Sequence, residues 1–289
     1  MKRLSLFPNP TKDSIKQVVA NLVSELSKMD FELYMDKDSP CVPDNSDLIR
    51  LVSEKEAVER SECMLVIGGD GTILYYASKA AKANKPVLGI NFGKLGYLAE
   101  IEINEIRKLE ALKYDRYIID ERMMLNAEII DKNGQIVYSQ NLLNEAAVLR
   151  AVLTRTIDIT VDVNGRKTMS FSSDGVIIST PTGSTAYSLS AGGPILEPSC
   201  KCMIVTPVCP HALNIRSFVL PDCHVINISV NAKETQAILS GDGFPPVFLK
   251  DSEKISVKKS ELSLSLVRIN GLVFYEKMCN KLSKEIKSR

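Results

Sequence analysis

An α/β domain built on a parallel sheet, followed by a β-rich domain, is what these 289 residues predict. Three observations carry that expectation. Apolar runs of strand length alternate with segments of helical spacing through the first ~110 residues. From Tyr117 onward the texture changes to apolar/polar alternation. The length itself suits two domains at roughly 150 residues each.

Residues 3–7 read as a short strand. Pro10-Thr11 then open a segment with apolar residues at Ile15, Val18, Val19, Leu22, Val23 and Leu26, the spacing of one helix face. Asp13 puts negative charge in its first turn, where the macrodipole favours it. Residues 31–34 read as a second strand, and 36–46, rich in proline and aspartate, as a loop. Residues 63–67 are a continuous apolar strand running straight into Gly68-Gly69. After it, 72–83 is alanine-rich and helical, and 86–90 is another buried strand. Strands alternating with helices give a mostly parallel, Rossmann-like sheet covered on both faces.

In the second region, 157–163 alternates apolar and polar residues, and Asn164-Gly165 supplies a type I′ turn. Met169 and Phe171 continue the pattern on the return strand. Residues 225–230 and 262–267 repeat the half-buried alternation, which predicts a β-sandwich-type domain. Lys254, Lys258 and Lys259 read as a solvated β-edge. The tail, 274–289, is helical and basic, with Met278, Leu282 and Ile286 on one stripe.

Composition bounds what such a protein does. Hydrophobic residues at 45% and charged residues at 25% let each half build a core without metals or disulfides. The 36 basic and 35 acidic residues leave a net charge of +1, which argues against general binding to nucleic acid or acidic membranes. Apolar runs such as 64–67 and 176–178 fall far short of the ~20 residues that cross a bilayer. Residues 1–8 carry charge but too short an apolar stretch for a signal peptide, so a soluble, cytoplasmic protein is expected. The seven cysteines are scattered and form no Cys-x-x-Cys pair, which predicts reduced, mostly buried thiols. His211 reads as a hydrogen-bonded structural residue and His224 as part of a loop before a strand.

Two segments carry chemistry. In Gly68-Gly69-Asp70-Gly71-Thr72, glycines let backbone N–H groups approach an anion, and the helix that follows adds a positive dipole end. A carboxylate in that place repels phosphate, unless Asp70 accepts a proton from an attacking hydroxyl or meets a metal ion. The alternative is a tight turn in which Asp70 caps the helix. In residues 180–195, hydroxyls and glycines are too dense for an apolar core and suit a surface that hydrogen-bonds a polar ligand, with Tyr187 available to pack on a ring. A plain linker is the alternative there.

These two segments, together with Asn91-Phe92-Gly93-Lys94-Leu95-Gly96-Tyr97-Leu98, Asn144-Glu145, Asp174-Gly175, Pro210-His211-Ala212-Leu213 with Arg216 and Leu220-Pro221, and Gly241-Asp242-Gly243, resemble the NAD kinase family. Gly-Gly-Asp-Gly-Thr alone also occurs in lipid kinases and phosphofructokinases; the long Thr/Ser/Gly segment sets the resemblance apart. It implies an ATP-dependent enzyme that phosphorylates the 2′-hydroxyl of the adenosine ribose of NAD, giving NADP. Mg²⁺ would serve as the divalent metal, and no protein-bound metal site is implied. The implied organisation is an α/β domain at 1–110 carrying the glycine loop, an NAD-binding β-rich domain at 111–267, a segment at 268–289 that returns to the first domain, and an active site between domains.

The resemblance gives Asp70 the role of general base and places Gly71 beside the ligand. Gly68, Gly69, Gly71 and Thr72 become the donor-phosphate loop. Asn144 and Glu145 become ligands of NAD hydroxyls and the adenine region, and Asp174 a second contact. Thr185, Ala186, Tyr187, Ser188, Leu189 and Ser190 form the wall around the adenosine half. Arg155 falls where the family has a ligand contact, and an exposed strand arginine explains it as well. Three positions depart from the family pattern: Ser172 and Tyr75 stand where a basic residue is common, and Phe244 where glutamine is. A few cations near the cleft, such as Lys94 or Arg155, would help hold phosphates. Relatives are commonly dimers or tetramers, so a homo-oligomer is expected.

Overall fold

The computed structural model describes residues 1–12, 14–93, 96–152, 155–231, 236–271 and 273–287, with the backbone alone for 282–287. Asp13, Lys94 and the side chains of Leu282 and Ile286 lie outside the described residues. The chain divides into two compact units, Met1–Glu121 with Leu264–Arg289, and Arg122–Ser263.

The chain begins with β1 (Arg3–Pro8), α1 (Ile15–Lys28), β2 (Glu32–Asp36), β3 (Arg50–Val52), α2 (Glu54–Arg60) and β4 (Cys63–Gly68). It continues through α3 (Asp70–Lys82), β5 (Val87–Asn91), β6 (Ile101–Glu102) and a 3-10 helix at Ile103–Tyr114. Then come β7 (Ile118–Ile130), β8 (Ile136–Leu142), β9 (Glu145–Arg150), β10 (Ile157–Val163), β11 (Arg166–Ser173) and β12 (Gly175–Ser179). The short helix α4 (Tyr187–Ser190) precedes β13 (Cys202–Val208), β14 (Phe218–Pro221), β15 (Ile226–Asn231), β16 (Ala237–Ser240) and β17 (Val247–Phe248). Last are β18 (Lys254–Arg268) and α5 (Phe274–Lys287).

In the first unit, β3, β2, β1, β4 and β5 pair in that order, every pair parallel. Every residue of β4 is buried, as its unbroken apolar run requires of a central parallel strand. Leu4, Leu6, Leu65, Ile67, Leu88 and Ile90 pack against Val19, Leu22 and Leu26 of α1. Each such side chain contributes about 1.5–3 kcal/mol on burial. β3 and α2 escape sequence reading because one spans three residues and the other buries only Ala57 and Val58.

The first unit also runs past the expected boundary near 110. Leu112 is fully buried and Tyr117 packs on the same core. The chain returns earlier than 268, because Leu266 pairs parallel with Val87 and Val267 joins the core.

The second unit places two sheets face to face around one core. One sheet runs β14-β13-β12-β9-β16-β17 and is antiparallel throughout. Facing it are β11, β10, β15 and the first part of β18, with β7 and β8 beyond. Val148, Val176, Ile178 and Val205 from the first sheet meet Ile157, Ile159, Ile228 and Ile255 from the second. Asn164 and Gly165 both have positive φ, 50° and 77°, as a type I′ turn requires.

Three expectations need correction. Lys254, Lys258 and Lys259 lie on no edge: β18 is flanked by β15 and β7, and its lysines are accommodated because Lys258 pairs with Glu128 and Lys259 with Asp222. Of the seven free cysteines only Cys41 and Cys63 are buried, since the others fall on loops, a strand end and the final helix. Burial pushes the Cys63 thiol up to about 12, which leaves it unreactive. His211 is exposed, on a loop whose backbone N–H donates to the Ser172 carbonyl.

Candidate active site

In the first unit, β4 ends at Gly68 and α3 begins at Asp70, so the glycine loop becomes a helix N-terminus. Gly69 is the N-cap and has nothing within 4 Å of where a Cβ would stand; the same holds for Gly71. The first-turn amides of a helix have no intrahelical acceptor, which makes such an end a natural place for an anion. Thr72 is buried, and its hydroxyl accepts a hydrogen bond from Asn9 Nδ2 at 3.0 Å. That hydrogen bond ties Thr72 to Asn9, just past the end of β1.

Asp70 does not cap its own helix. Its carboxylate accepts from the backbone N–H groups of Tyr97 (2.7 Å), Leu98 (3.0 Å) and Ala99 (3.4 Å). A Cβ on Gly96 would lie 1.8 Å from Asp70 Oδ1, so only glycine admits this carboxylate. Three donors from one loop hold the acid in a fixed direction next to the glycine loop.

In the second unit, Asn144 and Glu145 sit at the start of β9, both buried. Asp242 is the residue that sequence reading left without a role. It has left-handed φ of 49°, and its carboxylate accepts from the N–H groups of Leu143, Asn144 (3.0 Å) and Glu145 (3.3 Å). Gly183 packs so close that a Cβ there would lie 2.2 Å from the Asn144 carbonyl oxygen. Thr180 Oγ1 donates to the Leu143 carbonyl at 2.7 Å. The acidic tip of Glu145 stays unsatisfied, with Oε2 buried and unpartnered. Burial raises its carboxyl to about 8, helped by the nearby Asp242 charge. Burial likewise lifts Asp242 to about 6, against the pull of its three backbone donors.

Asp174 stands at the other end of the same ladder. Glu145 pairs with Ser179 and Leu149 with Gly175, so roughly 15 Å of strand separates Glu145 from Asp174. Asp174 forms an ion pair with Arg150 at 3.0 Å. Arg155 is exposed ahead of β10, and its carbonyl accepts from Arg150. Between the two acidic ends, Ala147, Ile177 and Val208 form a small buried apolar cluster, packed by Leu149 and Ala191.

The 180–195 segment forms a 3-10 turn at Gly183–Thr185 followed by α4. Its hydroxyls point two ways. Ser184 Oγ donates to the Pro181 carbonyl and accepts from Leu196 N–H, and Ser188 shares a 2.9 Å hydrogen bond with Thr206; both residues are fully buried. Tyr187 and Ser190 are exposed, while Thr185, Ala186 and Leu189 are half-buried. Burial raises the Tyr187 hydroxyl, and negative charge at Cys209, Asp174 and Glu145 adds to it. The segment is thus partly a polar core of its own, and Tyr187 is the aromatic group it presents.

At the departures from the family pattern, Ser172 donates to Asp158, Tyr75 is exposed edge-on to Tyr76, and Phe244 packs on the sandwich core. None supplies a cation.

A glycine loop opening on a helix N-terminus, beside a carboxylate fixed by backbone donors, is the equipment of a phosphotransferase. The chain belongs to the ATP-NAD kinase family: residues 4–117 match its N-terminal domain and 143–269 its C-terminal domain. An NAD kinase from Natranaerobius thermophilus is 35% identical over 288 residues, spanning 98% of each chain. One from Acetivibrio thermocellus is 34% identical over 293 residues, spanning 98% of this chain and 97% of that protein. The fold matches yeast NADH kinase complexed with NADH, with a TM-score of 0.87 at 23% identity, covering 98% of this chain and 88% of that one. It also matches an Archaeoglobus fulgidus NAD kinase in complex with ATP, with a TM-score of 0.71 at 24% identity, covering 97% and 98%.

Proposed function

We infer that the protein transfers the terminal phosphoryl group of ATP to the 2′-hydroxyl of the adenosine ribose of NAD, forming NADP and ADP. Membership of the family carries this reading, and the backbone-held Asp70 carboxylate supports it. The hydroxyl oxygen attacks the γ-phosphorus, the bond to the β-phosphate oxygen breaks, and Asp70 takes the hydroxyl proton. The amides of Asp70 and Gly71 at the start of α3 receive donor phosphate oxygens, with Gly68, Gly69 and Thr72 setting the loop. Asn144 and Glu145 bind hydroxyl and base edges of NAD. Tyr187, exposed on its turn, lines the adenine pocket. Asp174 is a further contact, and the 185–190 turn is the wall of that pocket.

Magnesium fits as part of the Mg–ATP substrate. Phosphate oxygens with water satisfy Mg²⁺ readily. It supplies charge neutralisation at the transferring phosphoryl group.

No described helix is long and apolar enough to cross a membrane. Seven free cysteines fit a reducing compartment, and we place the protein in the cytoplasm. A homo-oligomer is proposed from the family resemblance, with gel filtration and light scattering as its test. The activity test uses purified protein, ATP and Mg²⁺ with NAD or NADH, reading NADP or NADPH through a coupled dehydrogenase. Product formation supports the reading; NAD binding without product would make the protein a dinucleotide sensor.

A further inference from the structure

The segment 97–100 is held from both sides. Its amides at Tyr97, Leu98 and Ala99 all donate to Asp70. Its carbonyls at Leu98, Ala99 and Glu100 all accept from the chain's return: Arg268 Nη1 to Leu98 (2.8 Å), Lys277 Nζ to Ala99, and Asn270 Nδ2 to Glu100 (3.2 Å). Both cations are buried, Arg268 at 4% exposure and Lys277 at 9%. Arg268 is itself fixed by Glu100 at 3.2 Å and Asp120 at 3.0 Å. Glu100 also accepts from the backbone of Ile269 and Asn270, which ties the return to the same segment. Lys281 lies 4.0 Å over the Tyr97 ring.

Although Arg268 answers the carboxylates of Glu100 and Asp120, it also donates an N–H to the Leu98 carbonyl, and Lys277 donates one to the Ala99 carbonyl. A cation on a carbonyl polarises its own peptide unit. Arg268 on the Leu98 carbonyl strengthens the Ala99 N–H, which donates to Asp70. Lys277 sits on the Ala99 carbonyl, whose peptide N–H at Glu100 donates to Gly89, so it acts by holding the segment in place, while Arg268 acts directly on an Asp70 donor.

We propose that Arg268 and Lys277 are positioning residues for Asp70, acting through the backbone of 97–100. The proposal rests on Asp70 being the base of the phosphoryl transfer. It makes the end of the chain part of the catalytic apparatus, although neither cation touches the carboxylate.

The test is Lys277→Met, which keeps the stem and removes the charge, measured alone and combined with Asp70→Asn. The expected result is a fall in kcat of about tenfold, with KM for NAD and ATP within about twofold of wild type. In the Asp70→Asn background the same change has no further effect, because the group it positions is gone. Hydrogen exchange gives a readout independent of activity: the amides of 97–99 exchange faster in Lys277→Met, while those of Val176 and Ile178 do not. If Lys277→Met does not fold, Asn270→Ala, at an exposed position, carries the same measurements with the same expected directions. An equal fall in both backgrounds, an effect on KM alone, or unchanged exchange at 97–99 overturns the proposal. A wild-type protein that makes no NADP overturns the function reading instead, and the exchange measurement then decides the positioning role.

Discussion

Glu145→Gln tests the electrostatics of the second unit most directly. Glu145 is buried, its Oε2 has no partner, and its carboxyl is raised from 4.5 to about 8. Between those two values the folded protein holds a proton that the unfolded chain has lost. Stability from this group is therefore full below about pH 4.5 and falls as pH rises toward 8. One proton of difference gives a slope of about 1.4 kcal/mol per pH unit, or about 2 kcal/mol between pH 6.0 and 7.5. For a chain of 289 residues, with about 2.1 cal/mol/K of unfolding entropy per residue, that corresponds to roughly 3 °C in Tm. Asp242, raised from 3.8 to about 6, adds a similar slope only at lower pH. Thermal melts of wild type and Glu145→Gln at pH 6.0 and 7.5 isolate the effect, since all other titrating groups are common to both. The wild type loses roughly 3 °C more than the variant over that interval. Equal losses in the two proteins would refute the reasoning.

Asp70→Asn lowers kcat by at least ~10²-fold, the usual contribution of a general base, and near-wild-type turnover removes Asp70 from the mechanism. Because the amide group cannot accept from all three donors, the variant also loses about 1–3 kcal/mol by chemical denaturation. Gly96→Ala puts a methyl group against the Asp70 carboxylate and lowers kcat more than about tenfold; steady-state kinetics at wild-type level would contradict the close approach. Asp242→Ala strands three buried amides, costs at least about 2 kcal/mol in a urea melt, and raises KM for NAD more than it lowers kcat.

Much of the architecture is legible in the chain because local patterns and tertiary packing agree. The unbroken run at 63–67 is a buried parallel strand, and Asn164-Gly165 turns the hairpin it signals. Agreement fails where a pattern has two physical uses. Lysines that decorate an edge equally serve a central strand when acids face them, as Glu128 on a neighbouring strand and Asp222 in a turn do. Hydroxyls that could meet a ligand equally satisfy their own backbone, as Ser184 and Ser188 do. The Gly241-Asp242-Gly243 triplet is visible as a turn, but nothing local tells that its carboxylate reaches back to residues 143–145.

Periodicity and turn chemistry are short-range properties, and they settle the two-part architecture, the strand and helix phases and the glycine loop before any fold is known. Which polar group answers which is a long-range matter. Asp70 meets amides 27 to 29 residues away, and Ala99 meets a lysine 178 residues away. Such pairs are chosen by chain path, since a buried donor or acceptor takes whatever partner folding brings within ~3 Å. The residue types in this sequence therefore announce a phosphotransferase, while the orientation of its carboxylates belongs to the folded chain.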